Sequence, residues 1–290
     1  MKSILSTLAM LSLVAGAIAE TTIDPANRYA YSANLGWMDW RGDTANGAVI
    51  GEYACSGYIY SANVGWINLG SGAPANGVRY QNNSAADFGV NQDGLGNLRG
   101  YAYGASIGWL NFEPQGAPKV DLRTGKMSGY VYSANCGWIT LSNAMAFVQT
   151  RIAPGADTDR NGLPDAWERE HFGNIGVDLN ADPDRDGVSN RDEHLADTDP
   201  LSPDSALRIV SLAVSFTPNG GDTDDLVWTS RPTRLYRIEQ RTDFSPSVPW
   251  ADVGVLFAPD AGATTERAIQ FGLPAEPKRF FRVKALKPLQ

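Results

Sequence analysis

The side chains best placed to do chemistry are acidic and regularly spaced. Residues 154–205 hold fourteen Asp and Glu against four Arg, a formal charge of −10 where the whole 290-residue chain carries −8. Two 12-residue registers repeat within this stretch. The first, 157–168, sets oxygen donors at Asp157, Asp159, Asn161, Asp165 and Glu168 around Gly162. The second, 182–193, sets them at Asp182, Asp184, Asp186, Asn190 and Glu193 around Gly187. These are positions 1, 3, 5, 9 and 12 of a calcium loop, with glycine at position 6 for the sharp turn and a backbone carbonyl at position 7, here Leu163 and Val188. Ca²⁺ is a hard cation that takes about six to eight oxygens, and a Glu at position 12 can chelate it with both of its own. Each loop offers four carboxylates and one asparagine, and such like charges repel unless a dication neutralises them. One register alone is also what a solvated acidic linker could show by chance. Two in tandem, 25 residues apart and each with its glycine, point to two Ca²⁺ sites.

Short elements must hold those loops. A helix is expected after each: Pro164 suits a first helical turn and Gly173 a stop, while 191–196 forms the second. The two histidines of the chain, His171 and His194, fall on these helices without a metal or catalytic motif and read as packing or surface residues. Asp197 and Asp199 are near enough in sequence to add ligands to either site.

On the N-terminal side, one pattern occurs four times, at 29–37, 58–66, 101–109 and 130–138: Tyr-x-Tyr-Ser/Gly-Ala-Asn/Ser-x-Gly-Trp. The tryptophans, Trp37, Trp66, Trp109 and Trp138, are 29, 43 and 29 residues apart, and alternate ones are 72 apart in both cases, as when a pair is duplicated as a block. Tyr-x-Tyr puts two rings on one face of a strand. Ser-Ala-Asn-x-Gly is turn chemistry, since Asn and Gly tolerate positive φ, and Trp66-Ile67-Asn68-Leu69 begins a return strand. Each unit is expected to be a β-hairpin, or a three-stranded meander where a strand such as 119–122 turns through 123–126 into 127–130. The third unit departs, with Gly104 and Ser106 where the others have Ser and Asn. The repeated Tyr and Trp are expected to be the core that packs one unit on the next. The alternative is a row of sugar-stacking aromatics.

Beyond the loops the chain turns β-rich, with candidate strands at 207–215, 225–230, 235–241, 250–255, 264–271 and 279–285, enough for a small antiparallel sandwich. The expected fold class is mainly β: a four-unit repeat domain (20–150), a tandem calcium-loop segment with two short helices (151–205) and a β-sandwich (206–290). Ahead of these, 1–19 reads as a secretory signal. Lys2 precedes an apolar run shorter than the roughly 20 residues of a spanning helix, and Ala17-Ile18-Ala19 is a cleavage site. A secreted, extracellular or cell-surface setting is expected, with the periplasm as the alternative, and no membrane span after cleavage. In an oxidising compartment Cys55 and Cys136 either pair or sit as two small buried hydrophobes, and spacing leaves this open. The acidic balance excludes a general nucleic-acid binder, which needs a basic face.

The pattern Asp-x-Asp-x-Asn-Gly-Leu-Pro-Asp-x-Trp-Glu at 157–168, continued by 184–193 and Thr198-Asp199-Pro200, resembles thrombospondin type 3 repeats or a dockerin-like EF-hand pair. An EF-hand carries an apolar residue at position 8; Pro164 and Ser189 stand there, which favours the type 3 likeness. The aromatic units resemble repeat domains of exported proteins from environmental bacteria. Tyr236-Arg-Ile-Glu, Trp250-Ala-Asp-Val and Phe280-Phe-Arg-Val resemble a terminal sandwich loosely like fibronectin type III, a likeness of fold alone. The expected role of the loops is a calcium-rigidified link between two β-domains, in a protein of adhesion, surface display or matrix.

No Gly-x-Ser-x-Gly, His-Glu-x-x-His or plausible Cys–His pair appears. Carboxylates outside the acidic stretch, such as Asp39, Glu52, Asp93 and Glu113, follow no repeated scheme that would suggest a glycosidase pair. The expected function is that of a non-enzymatic, calcium-binding modular protein whose partners are polysaccharide or cell-surface and matrix components. Carbohydrate binding by the repeat aromatics is the alternative, and a glycoside hydrolase or accessory module the minor one. The oligomeric state is left open.

Overall fold

The structure, a computed structural model, describes residues 20–42, 45–217, 221–271 and 278–290; the expected signal segment 1–19 lies outside them. The N-terminal strands are β1 (Ile23–Ser32), β2 (Gly36–Asp39), β3 (Ser56–Ser61), β4 (Gly65–Ser71), β5 (Val90–Gln92), β6 (Leu98–Gly104), β7 (Gly108–Asn111), β8 (Lys119–Val120), β9 (Met127–Ser128), β10 (Tyr130–Ser133), β11 (Gly137–Thr140) and β12 (Val148–Thr150). Each aromatic unit is a hairpin: β1–β2, β3–β4, β6–β7 and β10–β11. The hairpins pair side by side, and β11 returns to pair with β1, so eight antiparallel strands close into a barrel. The fourth unit has its upstream strand pair, β8–β9, outside the ring.

Closure decides which residues form the core. An eight-stranded barrel is just wide enough for side chains to fill it, and four tryptophans and eight tyrosines exceed that space. The inward positions are instead small or aliphatic and stack in fourfold layers. Ala30, Ile59, Ala102 and Val131 pair across their hairpins with Met38, Ile67, Leu110 and Ile139, all buried. Below them lie Trp40, Leu69, Phe112 and Leu141, also buried. Size is compensated between layers. Units one and three carry the small Ala30 and Ala102 together with the large Trp40 and Phe112, whose rings meet edge-on at 6.3 Å. Units two and four carry Ile59 and Val131 with Leu69 and Leu141. This alternation matches the 72-residue duplication.

The expectation that the unit tryptophans form this core is therefore corrected. With period-2 alternation, Tyr-x-Tyr and the paired Trp share the outer face, and Trp37, Trp66, Trp109 and Trp138 are 44%, 44%, 47% and 48% exposed.

Helices α1 (Asp165–Phe172) and α2 (Asn190–Ala196) follow the two acidic loops. Pro164 is the N-cap of α1, and Gly173, at φ 77°, ends it by donating to the Arg169 carbonyl. Ser189 caps α2 through its hydroxyl. The C-terminal strands are β13 (Ile209–Thr217), β14 (Gly221–Thr229), β15 (Leu235–Arg241), β16 (Ala251–Phe257), β17 (Thr264–Phe271) and β18 (Phe280–Leu286). They form two three-stranded antiparallel sheets, β13-β14-β17 and β16-β15-β18. These enclose a second core around Leu226, Trp228, Tyr236 and Ile238. After β18 the chain returns to the barrel: Leu289 packs against its core, and the Ile152 amide donates to the Leu289 carbonyl at 3.0 Å. Cys55 and Cys136 are free and buried, and burial pushes the Cys55 thiol up to about 12. No helix among the described residues is long and apolar enough to cross a membrane.

Candidate calcium loops and an outward aromatic belt

The two acidic loops have one backbone design, used twice. Asp157 accepts the amides of Asn161 and Gly162 at 3.1 and 3.0 Å; Asp182 accepts those of Asp186 and Gly187 at 3.2 and 2.9 Å. Asp159 and Asp184 each accept the amide two residues on, at 3.2 Å, and Asn161 and Asp186 accept the Leu163 and Val188 amides. Gly162 and Gly187 lie at φ 95° and 93°, and Arg160 and Arg185 at 61° and 64°. Glycine is the residue that takes such a conformation without strain. Carboxylate oxygens of Asp157, Asp159 and Asp165 fall within 4.8 Å of one another, as do those of Asp182, Asp184 and Asp186.

The position-12 glutamates close each loop from the helix that follows. Glu168, fully buried, uses Oε1 to accept from Asn161 Nδ2, Gly176 N and Val177 N at 2.8–2.9 Å. Glu193, 1% exposed, uses Oε1 to accept from the Thr198 hydroxyl at 2.7 Å. In both, Oε2 is buried and, among the described residues, without a hydrogen-bond partner, as are Asn190 Oδ1 and Asp184 Oδ2. Stranding a buried polar atom costs about 1–3 kcal/mol, more when it is charged. Four such oxygens in two small loops are what a cation would satisfy.

Electrostatics point the same way in the second loop. Burial pushes the Glu193 carboxyl up to about 7, with Asp186 and Asp184 adding to it against the opposing Thr198 hydrogen bond. Burial, Asp186 and Asp182 also raise Asp184. In the first loop burial would raise Asp165, but hydrogen bonds from Thr158 and the Arg169 charge outweigh it, and Asp165 is held low.

The aspartates of each loop gather as the sequence suggested, while Glu168 and Glu193 fall outside the two clusters. Asp165 is already engaged by Thr158, whereas Asn190 donates Nδ2 to the Asp178 carbonyl and leaves Oδ1 open. Asp197 and Asp199 lie outside the two carboxylate clusters. Asp197 accepts from Thr233 and faces Arg234, and Asp199 faces His171. Sequence reasoning missed Thr198 and Arg208, whose partners lie 5 and 22 residues away.

Around the loops the parts of the molecule meet. Arg208, from the sandwich side, reaches Asp186 at 2.9 Å. Arg234 donates to the last carbonyls of α2, His194 and Leu195. Arg79 of the barrel pairs with Glu170 of α1 at 2.7 Å. Lys287, in the returning tail, pairs with Glu52 and stands 2.6 Å from His194 Nε2. Burial first, then Lys287, pushes His194 down to about 2, so its ring is neutral. Both histidines pack against Trp167.

On the barrel's outer face the four aromatic sets have one geometry. Each Trp meets the nearer Tyr of its hairpin at 4.9–5.0 Å and the other at 6.1–6.3 Å between centroids. The nearer Tyr is the directly opposite residue: Tyr31, Tyr60, Tyr103 and Tyr132 face Trp37, Trp66, Trp109 and Trp138. Comparison with known proteins finds no matching family, no matching curated protein and no matching solved structure.

Proposed function

We propose that the chain is an exported, non-enzymatic modular protein whose two acidic loops each hold one Ca²⁺ and brace the barrel against the sandwich. The observation that carries this reading is the Oε2 of Glu168 and of Glu193, buried and without a partner among the described residues, in two loops of repeated design that each hold a clustered triad of aspartates. Asp157, Asp159, Asn161, Asp165, Glu168 and the Leu163 carbonyl would hold the first ion. Asp182, Asp184, Asp186, Asn190, Glu193 and the Val188 carbonyl would hold the second. Because α2 carries both Glu193 and the His194 that meets Lys287, ordering the second loop also orders the contact between tail and barrel. The test is limited proteolysis with and without chelator. The reading expects new cuts within 154–205 on chelation, with both β-domains surviving; identical digests contradict it.

A specific observation favours polysaccharide as the partner. Four identical Trp–Tyr sets stand exposed around the barrel, and exposed aromatic faces are what sugar rings stack on. Multivalent contact lets weak individual sites add to a strong attachment. Co-sedimentation with insoluble neutral polysaccharides tests this: retention that falls as the tryptophans are replaced supports it, and no retention on any of them contradicts it.

A further inference from the structure

The seams between barrel units differ in what lies beside the next unit's tryptophan. In each seam the tyrosine that faces Trp also sits opposite a polar residue of the preceding unit: Asp39 opposite Tyr60, Asn68 opposite Tyr103, Asn111 opposite Tyr132 and Thr140 opposite Tyr31. Between units two and three the chain fills this place itself. The Phe88 ring stands edge-on to Trp109, centroids 5.1 Å apart at 85°, and 6.5 Å from Tyr103. Between units three and four the place is open, a groove of about 170 Å³ lined by Asn111, Glu113, Gln115, Gly116, Tyr132 and Trp138.

One wall of the groove is the 3-10 turn Pro114–Gly116. A Cβ at Gly116 would run into the Tyr130 carbonyl and meet Trp138 Cζ3 at 3.1 Å, so glycine is what lets this turn lie along the aromatic set. The polar groups there are partly held and partly open. Asn111 Oδ1 accepts the Glu113 amide at 2.6 Å and Glu113 Oε1 accepts the Gly100 amide at 3.2 Å. Among the described residues no protein partner takes Asn111 Nδ2, Glu113 Oε2 or the Gln115 amide.

Resting on the polysaccharide reading above, we infer that this groove is the subsite for one neutral pyranose ring of a glycan. Phe88 shows that the equivalent place accepts a six-membered ring. The indole and phenol faces suit the C–H face of a sugar, and an amide donor, a carboxylate acceptor and a second amide suit its hydroxyls. No Lys or Arg lines the groove and Glu113 adds a negative charge, so uronic and sulfated sugars are disfavoured.

The test is calorimetric titration in millimolar calcium with cellohexaose, laminarihexaose and maltohexaose, and with hexagalacturonate. Wild type, Trp138→Ala, Gln115→Phe and, as a control outside the aromatic sets, the exposed Met145→Ala are compared. Gln115 is an exposed turn residue, and phenylalanine there imitates Phe88 by filling the groove without touching the barrel core. The expected result is binding of at least one neutral hexasaccharide, weakened roughly tenfold or more by Trp138→Ala and by Gln115→Phe and less than about twofold by Met145→Ala. Hexagalacturonate should bind at least about tenfold more weakly. Binding untouched by both groove variants overturns the groove and leaves the polysaccharide reading standing. Tighter binding of hexagalacturonate overturns the neutral-sugar assignment. Failure of the wild type to bind any neutral hexasaccharide overturns both.

Discussion

The side-chain amide of Asn135 donates to the backbone carbonyl of Ile107 at 2.8 Å, tying the turn of the fourth barrel unit to that of the third. Asn63 does the same to Leu35, and Asn34 to Cys136, both at 2.9 Å, so the last unit hands on to the first and three of the four links of a ring are made. The fourth link would need an amide at 106 in the third unit, where Ser106 stands. Ser106→Asn should supply it to the Val64 carbonyl and raise stability by about 1 kcal/mol, the net worth of a hydrogen bond. Asn135→Ala should lose a similar amount. Chemical denaturation checks both, and no gain from Ser106→Asn would mean that the ring does not propagate through Val64.

Gly104 marks the same unit. Ser32, Ser61 and Ser133 occupy its place elsewhere and are buried. A Cβ on Gly104 would stand 2.7 Å from Ile107 Cγ2 and 3.1 Å from Ile67 Cγ1. The bulk of Ile107 has taken the space of the missing side chain. Gly104→Ser should therefore cost about 1–3 kcal/mol, the range for overpacking, and adding Ile107→Val should recover much of it. A neutral Gly104→Ser would refute the compensation.

Two tryptophans three residues apart should behave differently. Trp40, 1% exposed, fills the bottom of the barrel, and Trp40→Ala should cost about 3–5 kcal/mol. Trp37→Ala removes only edge-to-face contacts with Tyr29 and Tyr31 and should cost about 0.5–1.5 kcal/mol. Equal costs in denaturant titrations would mean that the belt packs as core.

The second loop should respond to pH when stripped of metal. The Glu193 carboxyl rises in the folded chain from 4.5 to about 7. A raised carboxyl binds its proton more tightly when folded, so its contribution is fully present below pH 4.5 and is lost as pH climbs through 7. Chelated protein should resist proteolysis at 154–205 better near pH 5 than near pH 8, and calcium affinity should rise across the same interval as the competing proton leaves. Digests of chelated protein at the two pH values, with calcium titrations alongside, measure this; resistance that increases toward pH 8 in the chelated state would contradict it.

The architecture was legible where local chemistry decides it. Gly36, Gly65, Gly108 and Gly137 all take positive φ in the hairpin turns, as Asn-x-Gly implied. In the sandwich, β15 and β17 match their expected limits, because alternation and turn residues bracket them on both sides. Which face of each hairpin turns inward was not legible from the aromatics alone, since a large ring is as good a core residue as a belt residue. The aliphatic series Ala30, Ile59, Ala102, Val131 and its partners carried that answer, but only barrel closure shows that the interior has no room for the rings. The clustering of the loop aspartates was readable from spacing. The Thr198 hydroxyl that takes one Glu193 oxygen, and the Arg208 guanidinium that meets Asp186, depend on how the following segments fold back.

The most direct measurement of the central claim is calcium titration by calorimetry on chelator-stripped protein. The account predicts two Ca²⁺ per chain in the millimolar range or tighter, one after Glu168→Gln and one after Glu193→Gln. No calcium bound at millimolar concentration, or an unchanged stoichiometry of two in both variants, would contradict it.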